Sequence, residues 1–203
     1  MAKRIFDIIL ALVGLIIFMP CITIISLAIY LEDGRPVLFL QDRVGREGKI
    51  FKIIKFRSMK KTNAPYLDVD LLQNDPRVTR VGRFLRATAM DELPQLANIL
   101  AGQMSFVGPK PLLYSVDDDE KLCYKHLDQV PGYDIRIKAL PGLTGIAQIY
   151  APKDASRREK FRFDKIYVNN QSLLLDIKLI LISILVTIKA GWESKRKNNV
   201  KQD

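Results

Sequence analysis

The sequence has little with which to build a metal cluster or a disulfide framework. It holds two cysteines and one histidine in 203 residues, too few for a cysteine zinc site or a disulfide scaffold. Cys21 falls inside an apolar run, where it is most simply a small buried hydrophobe. Nothing points to an oxidising compartment. Acidic residues are the minority, 22 against 32 lysines and arginines, for a net charge of +10. The chain does not lack apolar residues: at 48% they exclude a disordered protein, while 27% charged residues is too polar for a polytopic membrane protein. The length suits one compact domain with appendages.

The most informative absence is local. No charged side chain occurs from Ile8 to Leu31, a stretch long enough to cross a bilayer. It is too long for the apolar region of a signal peptide and lacks a small-residue cleavage site, so it reads as a retained anchor. Pro20 interrupts it, removing a backbone donor in mid-helix. A kinked spanning helix and a re-entrant helix-break-helix both accommodate that. Basic residues flank both sides, Lys3 and Arg4 before, Arg35, Arg43, Arg46 and Lys49 after. Under the positive-inside rule both flanks are cytoplasmic, which favours the re-entrant form broken at Pro20.

Beyond the anchor, residues 36–192 read as a cytoplasmic domain on the membrane surface, mixed α+β and mostly helical. Short β-rich runs at Val37–Leu40 and Ile50–Phe56 flank Gly45-Arg46-Glu47-Gly48, predicting a hairpin. The polar stretch Lys61 to Pro76 reads as a loop. Helices are expected near Thr79–Ala87, Glu92–Leu100, Asp117–Gln129, Ala155–Val168 and Leu173–Ala190, with an extended piece over Asp134–Ala139 and turns at Ser105–Pro111 and Pro141–Gly145. The last helix has a clean apolar stretch, Leu179 to Ile188, too short to span. It suits an amphipathic interfacial helix with Trp192 at headgroup level, or an ordinary core helix. Residues 193–203 form a basic tail, read as disordered. His126 and the acidic run Asp117–Glu120 read as surface or first-turn residues. Scattered basic charge without a helix-turn-helix or RNP-like motif argues against nucleic acid. It suits a phosphorylated small molecule or an anionic lipid.

Chemistry concentrates in Asp91-Glu92-Leu93-Pro94-Gln95, preceded by Arg86. Asp91 at a helix start can simply cap it. Capping accounts for most such patterns; the other reading is a carboxylate nucleophile toward a phosphoryl group held at the helix N-terminus.

The run from Asp91 through Pro111 resembles the bacterial sugar transferases, more closely the small monotopic phosphoglycosyl transferases. The likeness extends to Lys3-Arg4-Ile5-Phe6-Asp7, Phe51 to Met59, Pro141 to Gln148, and Asp164 to Asp176. It implies transfer of a sugar 1-phosphate from a UDP-sugar to undecaprenyl phosphate with release of UMP. It also implies a covalent phosphosugar on Asp91, with Glu92 as dyad partner and Mg²⁺ at Asp91. Arg86, Lys55 and Arg57 match basic positions suited to phosphate, and Asp176 an acidic position near the C-terminal helix. The product would begin a surface glycan at the cytoplasmic face of a bacterial inner membrane. Some positions depart from the family. Met19-Pro20 replaces Ser-Pro, and Lys110 between Pro109 and Pro111 replaces an arginine, keeping charge but losing the bidentate fork. Leu140 replaces another arginine, for which Arg136 or Lys138 can substitute, and Tyr150-Ala151-Pro152 replaces Asn-Gly-Arg. The alternative class is a membrane-anchored basic module without catalysis.

Overall fold

The computed structural model describes residues 1–60, 75–114, 127–152 and 154–199, with side chains as far as residue 187. Most of the loop expected after Lys61, the acidic run, His126, nearly all of the helix expected from Asp117, and the end of the basic tail lie outside the described residues, as does the Trp192 side chain.

The apolar N-terminal run forms one long helix, α1 (Ala2–Asp33), with Pro20 inside it. Proline removes the donor that would reach the Ile16 carbonyl. On the next turns Thr23 and Ser26 hydroxyls fold back on the Met19 and Ile22 carbonyls. A hairpin follows, β1 (Leu38–Val44) and β2 (Ile50–Phe56), paired antiparallel from Leu38↔Phe56 to Val44↔Ile50. The turn at Gly45–Gly48 is where turn residues predicted it. Then come α2 (Arg80–Thr88), α3 (Gln95–Leu100), β3 (Ser105–Val107) and β4 (Leu112–Leu113). They are followed by α4 (Tyr133–Arg136), β5 (Gly142–Thr144), α5 (Ile146–Tyr150), α6 (Arg157–Asn169) and α7 (Leu173–Asn199). The α+β, mostly helical class with a small hairpin is what the structure has.

Three local readings are corrected. The extended piece at Asp134–Ala139 is instead the helical turn α4, closed by Arg136 N–H to Gly132 C=O and Ile137 N–H to Tyr133 C=O. Alternating Ile135 and Ile137 mimic a strand, but left-handed Gly132 (φ 96°) starts a helix there. The two proline-glycine turns each contain a short strand, and β3 pairs with β5 in parallel, Ser105↔Gly142 and Val107↔Thr144. A Cβ on Gly108 would lie 2.1 Å from the Leu140 carbonyl oxygen, and one on Gly142 2.1 Å from Gly108 N; only glycines allow that approach. Finally, the helix expected from Glu92 begins at Gln95, after a 3₁₀ turn over Met90–Glu92.

The core is built in patches along α1. Ala11 packs with Phe51, Ile53, Leu96, Ile99 and Met104. Ile25 and Ile29 pack with Phe56 and Leu85, and Met90 and Leu93 close over them. Between the patches Ile16, Ile17, Phe18, Met19 and Pro20 are all exposed. Both ends of α1 therefore lie on the domain, and its apolar middle stands clear of it. On α7 the residues Leu174, Ile177, Leu181 and Ile184 form a second exposed apolar stripe, while Asp176 and Leu179 face inward.

Candidate active site

The turn carrying Asp91 and Glu92 is set by what surrounds it. The last turn of α2 closes on Ala89, whose left-handed backbone (φ 55°) lets its N–H reach Arg86 and Leu85 carbonyls. That conformation in a residue with a Cβ costs roughly 1–2 kcal/mol and reverses the chain sharply. Met90 and Leu93 then drop into the Ile25–Ile29 patch, leaving Asp91 and Glu92 half-buried between them. Neither carboxylate caps a helix. The position before the 3₁₀ turn is Ala89, that before α3 is Pro94, and neither end has a side-chain cap. The capping explanation of Asp91 is thereby removed.

Two contacts fix this turn against β2. Asn98 of α3 acts as a substitute strand: its Oδ1 accepts from Ile54 N–H at 3.0 Å and its Nδ2 donates to Lys52 C=O at 2.8 Å. Lys55 on the same strand donates to Glu92 Oε1 at 2.7 Å. At the other side Gly82 lets α2 sit flush on β2's end, since a Cβ there would lie 2.0 Å from the Ser58 carbonyl oxygen. Arg86 can then donate to Ser58 Oγ at 2.9 Å. The result brings Asp91, Glu92, Lys55 and Arg86 into one charged neighbourhood. Burial pushes the Asp91 carboxyl up to about 6; Lys55 and Arg86 pull it down, and the Glu92 charge adds to the rise. It is thus a desolvated carboxylate that is ionised at neutral pH yet poorly stabilised, a combination that suits a nucleophile.

Beside the dyad opens a cavity of about 160 Å³, lined among others by Arg43, Lys55, Glu92, Gln95, Lys110 and Gln148. This falls below the ~300–1,000 Å³ of a typical ligand pocket, so it fits the charged head of a substrate. Lys110 lines this cavity together with Lys55 and Glu92. Two features of the cavity went unnoticed in the sequence. Arg43 is buried, gripping Gln41 Oε1 and donating to the Pro111 carbonyl at 3.1 Å. Gln95 is the first residue of α3 and is buried. The signal for Arg43 was an inward position of β1; for Gln95 the sequence carried none.

Other residues singled out in the sequence lie elsewhere. Arg57 is buried and donates to the Asp33 and Gly34 carbonyls, with the Asp33 carboxylate 3.0 Å away; it ties down the end of α1. Asp176 receives Lys3 Nζ at 2.5 Å and lies 2.7 Å from the Tyr167 hydroxyl; it ties down the start. Burial, reinforced by Asp176, holds the Tyr167 phenol well above its usual range, so it stays a donor. Pro20 is in the exposed middle of α1. Arg136 does not replace the missing arginine at Leu140 in the cavity wall. It is buried against Asp164 at 2.7 Å and donates to the Lys110 carbonyl, so it holds the loop that carries Lys110.

Asp91 is the dyad carboxylate left for a cation, since Glu92 is paired with Lys55, and no group of three or more His, Cys, Asp or Glu side chains gathers among the described residues. That donor set fits Mg²⁺, which binds through one or two carboxylates and completes its shell with water and substrate phosphate.

Comparison with known proteins gives one consistent result. The sequence pattern described as "Bacterial sugar transferase" matches residues 1–190. The chain is 41% identical, over 90% of its length, to a UDP-glucose:undecaprenyl-phosphate glucose-1-phosphate transferase of Escherichia coli, of which it covers 39%. It is 38% identical to the exopolysaccharide production protein ExoY of Rhizobium meliloti, with 91% of this chain and 84% of that one aligned. It is 36% identical to a UDP-galactose-lipid carrier transferase of Erwinia amylovora, over 92% of this chain and 40% of that one. The chain thus spans about two fifths of the first of these relatives, 39%, and most of the second.

Proposed function

The chain belongs to the bacterial sugar transferase family, and from that premise we propose that it transfers a sugar 1-phosphate from a UDP-sugar to undecaprenyl phosphate, using Asp91 as a covalent nucleophile. The observation that carries this reading is the position of the Asp91 turn. Its neighbours Met90 and Leu93 rest directly on the apolar helix α1, while Glu92, next to Asp91, borders a cation-lined cavity. A water-soluble anionic donor and a lipid-borne acceptor can both reach such a turn. The relatives' names point the same way: the Escherichia coli relative acts on UDP-glucose and undecaprenyl phosphate.

In the first step an Asp91 carboxylate oxygen attacks the phosphorus that bears the sugar. The bond from that phosphorus to the UMP oxygen breaks, and UMP leaves with the bonding pair. The sugar phosphate is then held on Asp91 as an acyl phosphate. In the second step a phosphate oxygen of undecaprenyl phosphate attacks the same phosphorus and the bond to Asp91 breaks, restoring the carboxylate. Lys55, Arg86 and Lys110 hold the phosphate charge. Glu92 aims the Lys55 ammonium and is placed to accept a proton from an incoming monoprotonated phosphate. Mg²⁺, held by Asp91, would offset the repulsion between carboxylate and diphosphate.

The membrane placement follows the same logic. α1 is long and apolar enough to cross a bilayer, and straight it would measure about 48 Å. Both its ends are bonded to one domain, which supports a helix that enters and leaves on one side, with the exposed stretch around Pro20 deepest. The α7 stripe adds a second membrane-facing surface. The product would be the first lipid-linked intermediate of a surface polysaccharide.

Intact-protein mass spectrometry tests the reading. With UDP-glucose or UDP-galactose, Mg²⁺ and no acceptor, a rapidly quenched sample should gain the mass of one hexose phosphate. Asp91→Asn should show neither adduct nor turnover. An active wild-type enzyme that never carries the adduct would instead transfer directly between its substrates.

A further inference from the structure

Gln95 is the unusual residue of the cavity wall. It is only 2% exposed, yet its Nε2 has no hydrogen-bond partner. Buried side-chain amides nearly always have one, and an unpaired donor costs stability. Gln95 begins α3, three residues after Glu92 in the 3₁₀ turn that carries Asp91. It lines the same cavity as Arg43, Lys55 and Lys110. The carboxylate in that wall, Glu92, is already taken by Lys55, so the amide has no protein anion to serve. A wall with three cationic side chains and an idle amide donor is complementary to an oxyanion.

We infer that Gln95 is a substrate-binding residue whose Nε2 donates to a phosphoryl oxygen of the donor's diphosphate. The inference rests on the proposed reading of this cavity as the donor site. The idle hydrogen-bond donor is kept at a cost to the free protein because it is used only when substrate is present. It shares the cavity with Glu92, the neighbour of Asp91, which sets it toward the phosphorus that Asp91 attacks rather than toward the uracil.

The test uses the full chain in detergent micelles with Gln95→Met, which keeps length and removes the amide. Without ligand, this variant should melt at or above the wild-type temperature, because an unsatisfied group is gone. Inorganic pyrophosphate should stabilise the wild type, and the variant should need about ten-fold more of it, the loss of one hydrogen bond to a charged group. In turnover, KM for the UDP-sugar should rise by a similar factor while KM for undecaprenyl phosphate is unchanged. Gln95→Glu, which puts a negative charge at the same place, should weaken pyrophosphate binding further. A variant that melts lower and binds pyrophosphate like the wild type would make Gln95 a structural residue and overturn the inference. So would a rise in KM for the lipid acceptor alone, a wild type indifferent to pyrophosphate, or failure of both variants to fold. If pyrophosphate behaves as expected but no UDP-sugar is turned over by the wild type, the anion site stands and the proposed reaction falls.

Discussion

Arg4 and Glu32, near opposite ends of α1, each close the open end of a different helix flanking Asp91. The Arg4 guanidinium donates to the carbonyls of Ile99 and Leu100 at 2.6 and 2.9 Å, the C-terminus of α3. The Glu32 carboxylate accepts from the N–H groups of Arg80 and Val81 at 2.7 and 2.9 Å, the N-terminus of α2. Each charge has the sign its helix end favours. Burial alone would raise the Glu32 carboxyl, but those backbone donors outweigh it and hold it below its ordinary value. The long apolar helix α1 is therefore clipped to both helices that flank the Asp91 turn.

Breaking the clip should loosen the turn as well as the anchor. Arg4→Ala and Glu32→Ala should each cost about 0.5–2 kcal/mol, the range for a lost cap, seen as a lower melting temperature in micelles. The double variant should lose kcat more than either alone. Cysteines placed at positions 2 and 34 should both label from the same side of inverted vesicles. Labelling from opposite sides would mean that α1 crosses the bilayer.

Lys55 and Arg57 lie two residues apart on one basic strand but face different tasks, so their substitutions should separate. Lys55→Met should leave the fold nearly intact, because its partner Glu92 is about one-third exposed (34%), and should cut activity steeply. Arg57→Met removes a buried guanidinium from Asp33 and should destabilise by on the order of 2–4 kcal/mol. Its kcat should stay close to wild type at temperatures where it is folded. Melting curves and turnover measured side by side decide the matter. Equal stability loss in both would contradict the division.

That pair also shows where the sequence is legible and where it stops. The Asp91-Glu92 dyad with Arg86 and Lys55 was legible through the likeness of whole sequence blocks to a family, because an aspartate at a helix start reads by itself as a cap. The hairpin and the longer helices announce themselves by periodicity and turn residues. The work of Lys3, Arg4, Arg57 and Asp176 could not be found in the same way. A charge beside an apolar run looks the same whether it meets water or a carbonyl a hundred positions away. The parallel β3–β5 pair was hidden because each strand is shorter than any readable alternation, and its glycines mark close backbone approach as readily as turns. Gln95 was invisible for another reason: an unpaired amide is defined by what surrounds it.

Asn98 offers a test of how firmly the dyad must be held. Its side chain replaces a neighbouring strand for Ile54 and Lys52, and it also donates to Gln103 Oε1 at 2.7 Å. Asn98→Ala leaves the Ile54 N–H and the Lys52 carbonyl on β2 without their part-buried partner, worth about 1–3 kcal/mol together. Because that edge carries Lys55, activity should fall further than stability alone explains, and kcat should fall more than KM rises. Asn98→Asp keeps the acceptor for Ile54 but loses the donor for Lys52, so it should be intermediate in melting temperature. A fall in stability with unchanged kcat would show that Lys55 is positioned by Glu92 alone.

Asp91 ties stability and activity to pH in opposite directions. Its carboxyl is raised by burial, from 3.8 to about 6. The protonated acid is no nucleophile, so kcat/KM of the free enzyme should fall about tenfold per pH unit below that value. For folding the sign reverses. A carboxyl raised in the folded state binds its proton more tightly there than in the unfolded chain. Its contribution to stability is fully present below pH 3.8 and is lost as pH rises through about 6. At pH 7.5 the ionised Asp91 is thus a cost carried by the folded enzyme. Asp91→Asn removes that cost and leaves the turn's backbone unchanged, since the carboxylate caps nothing. The variant should be inactive yet more stable at pH 7.5, by on the order of 1–2 kcal/mol once partial solvation is allowed for. The gain should shrink toward zero by pH 4. Comparing variant and wild type at each pH cancels the acid denaturation common to both. An Asp91→Asn protein that is less stable than wild type at pH 7.5 would show that the carboxylate supports the fold, and that its place beside the cavity reflects structure rather than chemistry.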